Sequence, residues 1–318
     1  SFHVTEPGGT GGRFYCFGCQ AGGSVIDFVM AMEWLDAGGA IRRLARPEWR
    51  AESDADRDAR DARNTAAREK ATRAQDEKAA AGLAHARAIW AATVPGHDVL
   101  GAYLEGRGIR LGPLGGVPPA LRLHPDLACY APDGRGVIHR GPAMVGRVGR
   151  VDAYGVHMTW IDGAARARAD GAKVPKKMRG ATGGMLGAPV VLSPPLACRE
   201  SATLLVGEGI ETTLAVLGAL RLWPGAAMIG AEAALSLPAL VGRADGSGWH
   251  PPGGVARVIL LADPSSRAPD RARASAARAA ARLSRPGLAV EVRVPRGRWD
   301  HDDDFADLAQ NGELFKGE

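Results

Sequence analysis

The stretch from Leu204 to Leu220 constrains the fold of this chain more than any other. Its sequence, LLVGEGIETTLAVLGAL, starts with a short apolar run, passes through Gly207, Glu208 and Gly209, and resumes an apolar pattern at Ile210. A short apolar run, a glycine-flanked turn and a helical period predict a β-strand, a tight turn and an α-helix. Because open α/β sheets bind ligands at the carboxyl ends of their strands, Glu208 is a candidate site residue. The alternative is a solvated loop glutamate.

Two more strand-like runs end in acidic residues. The apolar run Val258 to Leu261 is followed by Asp263, and the alternating run Leu288 to Val294 is followed by an acidic cluster. Carboxylates at several strand ends predict a site for a hard divalent cation, which prefers oxygen ligands and often bridges phosphates. Phosphoryl transfer is the reaction class that this pattern favours. The acids of the cluster are Asp302, Asp303, Asp304 and Asp307.

The segments VGEGIETTLAV, LLADPSS and DDDFADLAQNG resemble the Toprim fold of primases and topoisomerases, in particular the Toprim primase-like proteins of phages and other mobile elements. The preceding segments YLEGRGI, LRLHPDLACY, AMVGRV, GVHMTWID and KVPKKMRGATGG resemble the same subfamily, in the same order. The resemblance implies an α/β fold, with a parallel sheet flanked by helices in the Toprim domain. It also implies a DNA primase that synthesises short RNA primers from ribonucleotides on single-stranded DNA.

The resemblance further implies site residues. Glu208 and Asp263 would be catalytic, and Glu208, Asp263, Asp302 and Asp304 would hold Mg²⁺ or Mn²⁺. One position departs from the family pattern: Toprim centres usually present Asp-x-Asp, whereas Asp263 is followed by Pro264 and Ser265. Loss of one anionic ligand is expected to weaken metal binding.

This departure leaves a second function class open. The alternative is a non-catalytic nucleic-acid-binding protein, resembling recombination mediators that combine a zinc ribbon with a Toprim domain. A topoisomerase or Toprim nuclease is disfavoured because no strand-cleavage domain or ATPase partner is recognisable in the sequence. No GxxxxGK[ST] segment occurs, so a helicase, if used, is expected in trans.

The N-terminal segment contains Cys16 and Cys19, a two-residue spacing that suits a tetrahedral thiolate metal site. SFHV and FYCFGCQAGGSVIDFVM resemble the second half of the Cys-His-Cys-Cys zinc ribbon of bacterial and phage primases. Since the sequence starts at Ser1 without Met, we expect the first knuckle to be missing and the zinc site to be half complete. A reduced, unmetallated pair or a thioredoxin-type redox pair is the alternative. His3 is either a third ligand or a solvated strand residue.

The net charge of +5 is unevenly distributed, with an excess of basic residues between Arg135 and Arg179. Within this region a glycine-rich loop is predicted to contact phosphate or nucleic acid, although solvated loop charges are the alternative. The residues proposed for this contact are Lys173, Lys176, Lys177 and Arg179.

The predicted organisation has four parts. Residues 1–50 form a truncated primase-type zinc ribbon with a packing helix, 51–92 a charged helical linker, 93–200 a basic α+β subdomain and 201–312 the Toprim domain. The linker follows from a long run of Ala, Arg, Asp, Glu and Lys without large apolar residues, and partial disorder is the alternative to a helix. No apolar run long enough to cross a bilayer and no signal sequence occur, which predicts a cytoplasmic protein without a membrane partner.

Overall fold

The first 70 residues form one unit, which begins with a small antiparallel sheet and continues into two short helices. Strand β2 pairs with both β1 and β3. Ser24 and Asp27 form a capping box at the start of α1, as the sequence predicts. The rings of Phe14 and Phe28 meet edge to face at 5.2 Å, so α1 packs on the sheet. The elements are β1 (Phe2–Thr5), β2 (Arg13–Cys16), β3 (Gly22–Ser24), α1 (Val25–Glu33) and α2 (Ala37–Leu44).

The predicted charged linker is a single helix, α3 (Asp54–Ala91), of 38 residues. Its first half exposes charged side chains on all sides, as expected for a segment that builds no core. Toward its C-terminal end, Ala86 and Ile89 are buried. This end belongs to the second unit, residues 71–318.

The second unit is built on a mixed sheet of nine strands among the described residues, in the order β12-β11-β9-β10-β8-β5-β6-β7, with β4 paired to β5. Three single 3-10 turns lie at Gly112–Leu114, Ala226–Met228 and Pro295–Gly297. The remaining elements are α4 (Asp98–Gly106), β4 (Leu121–Tyr130), β5 (Val137–Val148), β6 (Gly155–Trp160), β7 (Lys176–Gly180), β8 (Val190–Ser193), β9 (Ala202–Gly207), α5 (Ile210–Leu220), β10 (Gly230–Ala233), α6 (Leu237–Val241), β11 (Val255–Leu261), α7 (Pro269–Leu283), β12 (Ala289–Arg293) and α8 (Phe305–Gln310).

This structure is a computed structural model, and it describes residues 2–5, 12–16, 22–45, 54–131, 136–151, 155–161, 176–181, 185–193, 202–223, 226–243 and 246–314. None of the helices in these ranges combines the length and the apolar composition of a membrane span.

The sheet has a parallel half and an antiparallel half. Strands β12, β11, β9 and β10 are parallel neighbours, and Leu204, Leu205 and Val206 of β9 have no exposed surface. Strands covered on both faces carry continuous apolar runs of this kind. The predicted parallel sheet flanked by helices is confirmed.

The antiparallel half carries the basic region of the sequence. Its strands enclose an apolar core that includes Trp160 and Met158, and Ile89 of α3 packs into this core. The indole of Trp160 donates a hydrogen bond to the carbonyl oxygen of Leu127, 2.8 Å away, which ties β4 across to β6.

Two sequence expectations for this half differ from the structure. The sequence has two strand-like runs, 136–139 and 143–151, which predict two short strands; the structure instead has one long strand, β5, because its pairing with β4 continues through Gly141. Lys176 to Gly180 form strand β7 rather than a loop, since the segment pairs in register with β6, Thr159 opposite Lys176. A side-chain period of two lets Met178 pack on the core.

Candidate active site

Two of the predicted acids lie at adjacent strand ends. Glu208 follows β9 and Asp263 follows β11, and these strands are parallel neighbours, with Leu204 opposite Val258. Both acids line one cavity of about 370 Å³, together with Ser265 and with residues from α6 and α7. The structure therefore brings Glu208 and Asp263 to the same edge of the sheet, where α/β proteins bind ligands.

Close packing behind Glu208 fixes the turn that carries it. A Cβ atom on Gly207 would lie 2.6 Å from the hydroxyl oxygen of Thr213. That hydroxyl donates a hydrogen bond to the carbonyl oxygen of Gly209, at 2.7 Å. The backbone N–H of Leu235 donates to the carbonyl oxygen of Glu208, at 2.9 Å. Only glycine leaves room at position 207 for the first turn of α5 to close on the strand.

The carboxylates at this edge repel one another. Desolvation, and then the negative charges of Glu208, Asp304 and Asp307, raise the pKa of Asp263 to about 7. Desolvation also raises the pKa of Glu208, against the opposing effects of a backbone hydrogen bond and of Lys176. Asp263 is open to solvent at the cavity, so it keeps part of its hydration. A bound cation would relieve this repulsion.

The C-terminal acids divide into two groups. Asp304 caps α8 in a capping box with Asp307, and the Thr212 hydroxyl of α5 lies 3.4 Å from its carboxylate. Asp302 instead accepts hydrogen bonds from the backbone and hydroxyl of Ser266, which lower its pKa. The charge of Asp304 therefore acts on Asp263, whereas the carboxylate of Asp302 is already hydrogen-bonded to Ser266.

No group of three or more histidine, cysteine, aspartate or glutamate side chains in the described part of the chain is arranged to hold a metal ion. The predicted Mg²⁺ ligands Glu208, Asp263, Asp302 and Asp304 thus do not form a closed coordination shell in this structure. Carboxylate oxygens nevertheless are the donor type that Mg²⁺ and Mn²⁺ prefer.

Lys176 links the basic strand to the acidic edge. Its ammonium nitrogen lies 3.3 Å from Oε2 of Glu211, and the hydroxyl of Tyr103 donates to Oε1 of Glu211, at 3.1 Å. Burial of Glu211 raises its pKa, but Lys176 and the hydrogen bonds around the carboxylate outweigh that effect and lower it. The charge of Lys176 also opposes, without cancelling, the rise in the pKa values of Glu208 and Asp263.

Sequence reasoning did not find the network of Tyr103, Glu211 and Lys176. Its members are far apart in the chain, 108 residues between Tyr103 and Glu211. The available signal was Glu211 itself, a charged residue in the first turn of a helix whose other positions up to Ala219 are all buried. His157 lies beside the network, where burial lowers its pKa to about 4 and keeps it neutral at pH 7.

The other predicted contact residues lie in different surroundings. Lys177 donates to the carbonyl oxygen of Tyr130, and Arg179 is exposed at the sheet edge. Lys173 and Cys19 lie outside the described residues, as does the side chain of Cys16.

Family models match three segments of the chain. Residues 1–60 match the CHC2 zinc finger model, Zn_ribbon_DnaG, and residues 80–188 match a domain of unknown function, DUF7146. Residues 203–313 match the Toprim domain, and this segment contains both strand-end acids of the cavity. The chain carries a Toprim domain. Its parallel half-sheet, β9 to β12 with α5 to α8, is that domain, and it follows a primase-type zinc ribbon at the N-terminus.

A solved structure also resembles the chain. The primase of Aquifex aeolicus, described by its zinc binding and RNA polymerase domains, is 14% identical, with a TM-score of 0.42, and the match covers 95% of this chain and 70% of that one. No curated protein sequence matches the chain. The Toprim assignment thus stands on the family model and on the parallel sheet.

Proposed function

We propose that this chain is a primase-like enzyme that synthesises short RNA primers from ribonucleotides on single-stranded DNA. The observation that carries the proposal is the shared cavity of Glu208 and Asp263 at the carboxyl ends of two adjacent parallel strands. The enzyme would act in the cytoplasm, in the replication of a phage, plasmid or other mobile element, with a helicase supplied in trans.

Glu208, Asp263 and Asp304 are the residues that would hold Mg²⁺ or Mn²⁺. The crowded carboxylates support this role: after desolvation, the negative charges of the neighbouring acids are what raises the pKa of Asp263, and a divalent cation would neutralise those charges. The cation supplies charge stabilisation to phosphoryl oxygens. Asp302, which the sequence also suggests as a ligand, would first have to release Ser266.

Glu208 accepts the proton of the attacking ribose hydroxyl in this proposal. The hydroxyl oxygen then forms a bond to the α-phosphorus of the incoming nucleoside triphosphate, and pyrophosphate leaves. Burial raises the pKa of the Glu208 carboxylate in the metal-free site, which makes it a stronger proton acceptor. Lys176, held by Glu211, lies where it can neutralise phosphate charge.

Zn²⁺ has a separate, structural role. Cys16 and Cys19 would supply two thiolates, and the CHC2 zinc finger match over residues 1–60 supports zinc as the metal. We expect the remaining ligands to come from outside this pair.

A non-catalytic nucleic-acid-binding role is the second candidate. It is favoured by Ser265, which stands where Toprim centres usually have a second aspartate and lines the same cavity as Asp263. A site with one carboxylate fewer recruits Mg²⁺ less strongly.

Primer synthesis on a single-stranded template with Mg²⁺ or Mn²⁺ separates the two candidates. Activity should be lost in Glu208→Gln and fall sharply in Asp263→Asn, because these changes keep shape but remove charge. Asp300→Asn is the matched control, since Asp300 pairs with Arg298 at the surface. Ser265→Asp should raise metal affinity and turnover. A wild type that binds DNA but makes no product, together with an inactive Ser265→Asp variant, would leave the binding role.

A further inference from the structure

A second and larger cavity lies on the basic side of the sheet. It is a groove of about 1030 Å³ between α3 and the edge strand β7. Lys78, Gly82 and His85 face it from α3 at positions i, i+4 and i+7, which share one side of a helix. The two walls meet backbone to backbone, because a Cβ atom on Gly82 would lie 2.2 Å from the carbonyl oxygen of Gly180. None of these α3 residues was singled out by the sequence.

The charged side chains that line the groove, among the residues the structure describes, are all basic. Lys78, Arg179 and Arg243 line it, and no described residue of its lining is acidic. None of the three has an ion-pair partner among the described residues. Some other arginines of the second unit do form ion pairs, as Arg140 does with Asp126 and Arg257 with Glu291. Cations that converge on a cleft without acids favour a polyanionic ligand.

The groove also has surfaces suited to bases. Tyr130 lines it and is 42% exposed, and the side chains of Met178 and Met185 add flexible apolar area. Aromatic side chains beside a cationic groove are the usual platform for the bases of single-stranded nucleic acid. An acidic peptide would use the cations but would gain nothing from stacking on Tyr130.

Two elements connect the groove with the cavity of Glu208 and Asp263. Helix α6, about 8 Å long, contributes Leu237 to that cavity, and Arg243 lies just after the helix, in the groove. Strand β7 carries Lys176, which pairs with Glu211 near the acids, and Arg179, about 10 Å further along the strand, in the groove. Helix α6 and strand β7 therefore each have one residue near the acidic edge and another in the groove.

We propose that the groove between α3 and β7 binds the single-stranded template, with Lys78, Arg179 and Arg243 on its phosphates and a base stacked on Tyr130. This inference rests on the proposed function and deepens it, since it assigns the template path. It extends the predicted basic contacts to α3 and to the segment after α6.

Binding of a fluorescein-labelled oligo(dT) to the full chain, followed by anisotropy between about 50 and 200 mM salt, tests the groove. Lys78→Ala and Arg243→Ala should each weaken binding and reduce the salt slope by about 0.7, the value for one phosphate of a single strand. Lys70→Ala, eight residues earlier on α3, and Arg285→Ala, on the surface after α7, are the matched controls and should change neither quantity.

Tyr130→Ala should weaken binding at least about fivefold at every salt concentration, because loss of one stacked base costs at least about 1 kcal/mol. Tyr130→Phe keeps the ring and should bind within about twofold of the wild type. All variants change exposed side chains, so their circular dichroism and melting curves should match the wild type.

The outcomes separate the groove from the proposed chemistry. If the wild type binds oligo(dT) but makes no primer, and the groove variants lose binding, the groove proposal stands and the primase proposal fails. If the wild type makes primers and the groove variants bind oligo(dT) as tightly as it does, only the groove proposal fails. A wild type that does not bind oligo(dT) would overturn it too. So would equal competition by polyglutamate with no effect of Tyr130→Ala.

Discussion

Two carboxylates of the Toprim sheet, Glu232 on β10 and Asp263 after β11, have opposite surroundings. Glu232 is fully buried, and both of its oxygens accept hydrogen bonds from the guanidinium of Arg150, at 2.7 Å each. The indole nitrogen of Trp249 donates to the same carboxylate, at 2.8 Å. Asp263 is open to solvent, faces other carboxylates and has no hydrogen-bonding cation of its own among the described residues.

The difference separates a structural acid from a ligand-binding one. A closed, fully paired carboxylate such as Glu232 fixes the packing of the chain around it, and nothing else can approach it. At an open carboxylate with a raised pKa, such as Asp263, a bound cation would stabilise the ionised form. Glu211 lies between these extremes, since it is buried and paired, but its partner Lys176 is 35% exposed and lies near the acids.

The largest expected loss of stability comes from removing the partner of the structural acid, Glu232. Arg150→Met would leave Glu232 buried with only Trp249 as a donor, and we expect a loss of about 3 kcal/mol in the free energy of unfolding. Arg257→Met, which breaks the surface pair with Glu291, should cost at most about 1 kcal/mol. Urea denaturation measures both. Equal losses in the two variants would remove the distinction between a closed pair and a surface pair.

The pair of Glu211 and Lys176, which is intermediate between a closed and an open carboxylate, should show energetic coupling between its two residues. Lys176→Met is expected to cost about 2 kcal/mol, because Glu211 stays buried while its partly exposed cation is lost. Glu211→Gln in the same chain should recover about 1 kcal/mol, since the amide keeps an acceptor for Tyr103 and needs no cation. A double-mutant cycle in urea gives the coupling energy directly. Additive losses would show that Lys176 and Glu211 act independently.

The sequence predicts the acidic edge because its signals are local. An apolar strand, a turn and an acid occur within a few residues of Glu208 and again at Asp263, so the strand ends can be read from periodicity. The pairs that separate structural from functional charges are not local. Arg150 and Glu232 are 82 residues apart, and Lys176 and Glu211 are 35 apart.

The same reason explains the segment around Lys176. A run with many basic and glycine residues resembles a loop, and only its pairing with β6 makes it strand β7. That pairing directs Lys176 toward Glu211 and leaves Arg179 exposed in the groove. The composition of the segment contains no information about this division.

The open acid should make stability depend on pH. The pKa of Asp263 is about 7 in the folded state, above its value in the unfolded chain, so its contribution is fully present below about pH 4 and is lost as the pH rises through 7. Without added metal, Asp263→Asn should therefore stabilise the chain at pH 8 and have little effect at pH 4.

Solvent screening of the exposed carboxylate limits the gain at pH 8 to about 1 kcal/mol. Melting curves at the two pH values, in the presence of EDTA, give the difference. Asp300→Asn, at an exposed surface pair, should show no such pH dependence. A gain of the same size at pH 4 and pH 8 would contradict a charge effect at Asp263.

The smallest expected effect is on metal affinity, at Asp302. It tests whether the C-terminal acids also divide into a hydrogen-bonded carboxylate and one that is available to a cation. Asp302→Asn should leave Mn²⁺ affinity within about twofold, or about 0.4 kcal/mol, because its oxygens already accept hydrogen bonds from Ser266. Asp304→Asn should weaken the affinity several-fold. Asparagine caps a helix about as well as aspartate, so this variant removes charge beside Asp263 while keeping α8 intact. Titration of Mn²⁺ followed by electron paramagnetic resonance measures both variants. The reverse order, a larger loss at Asp302, would mean that the loop of Ser266 opens to place that carboxylate on the metal.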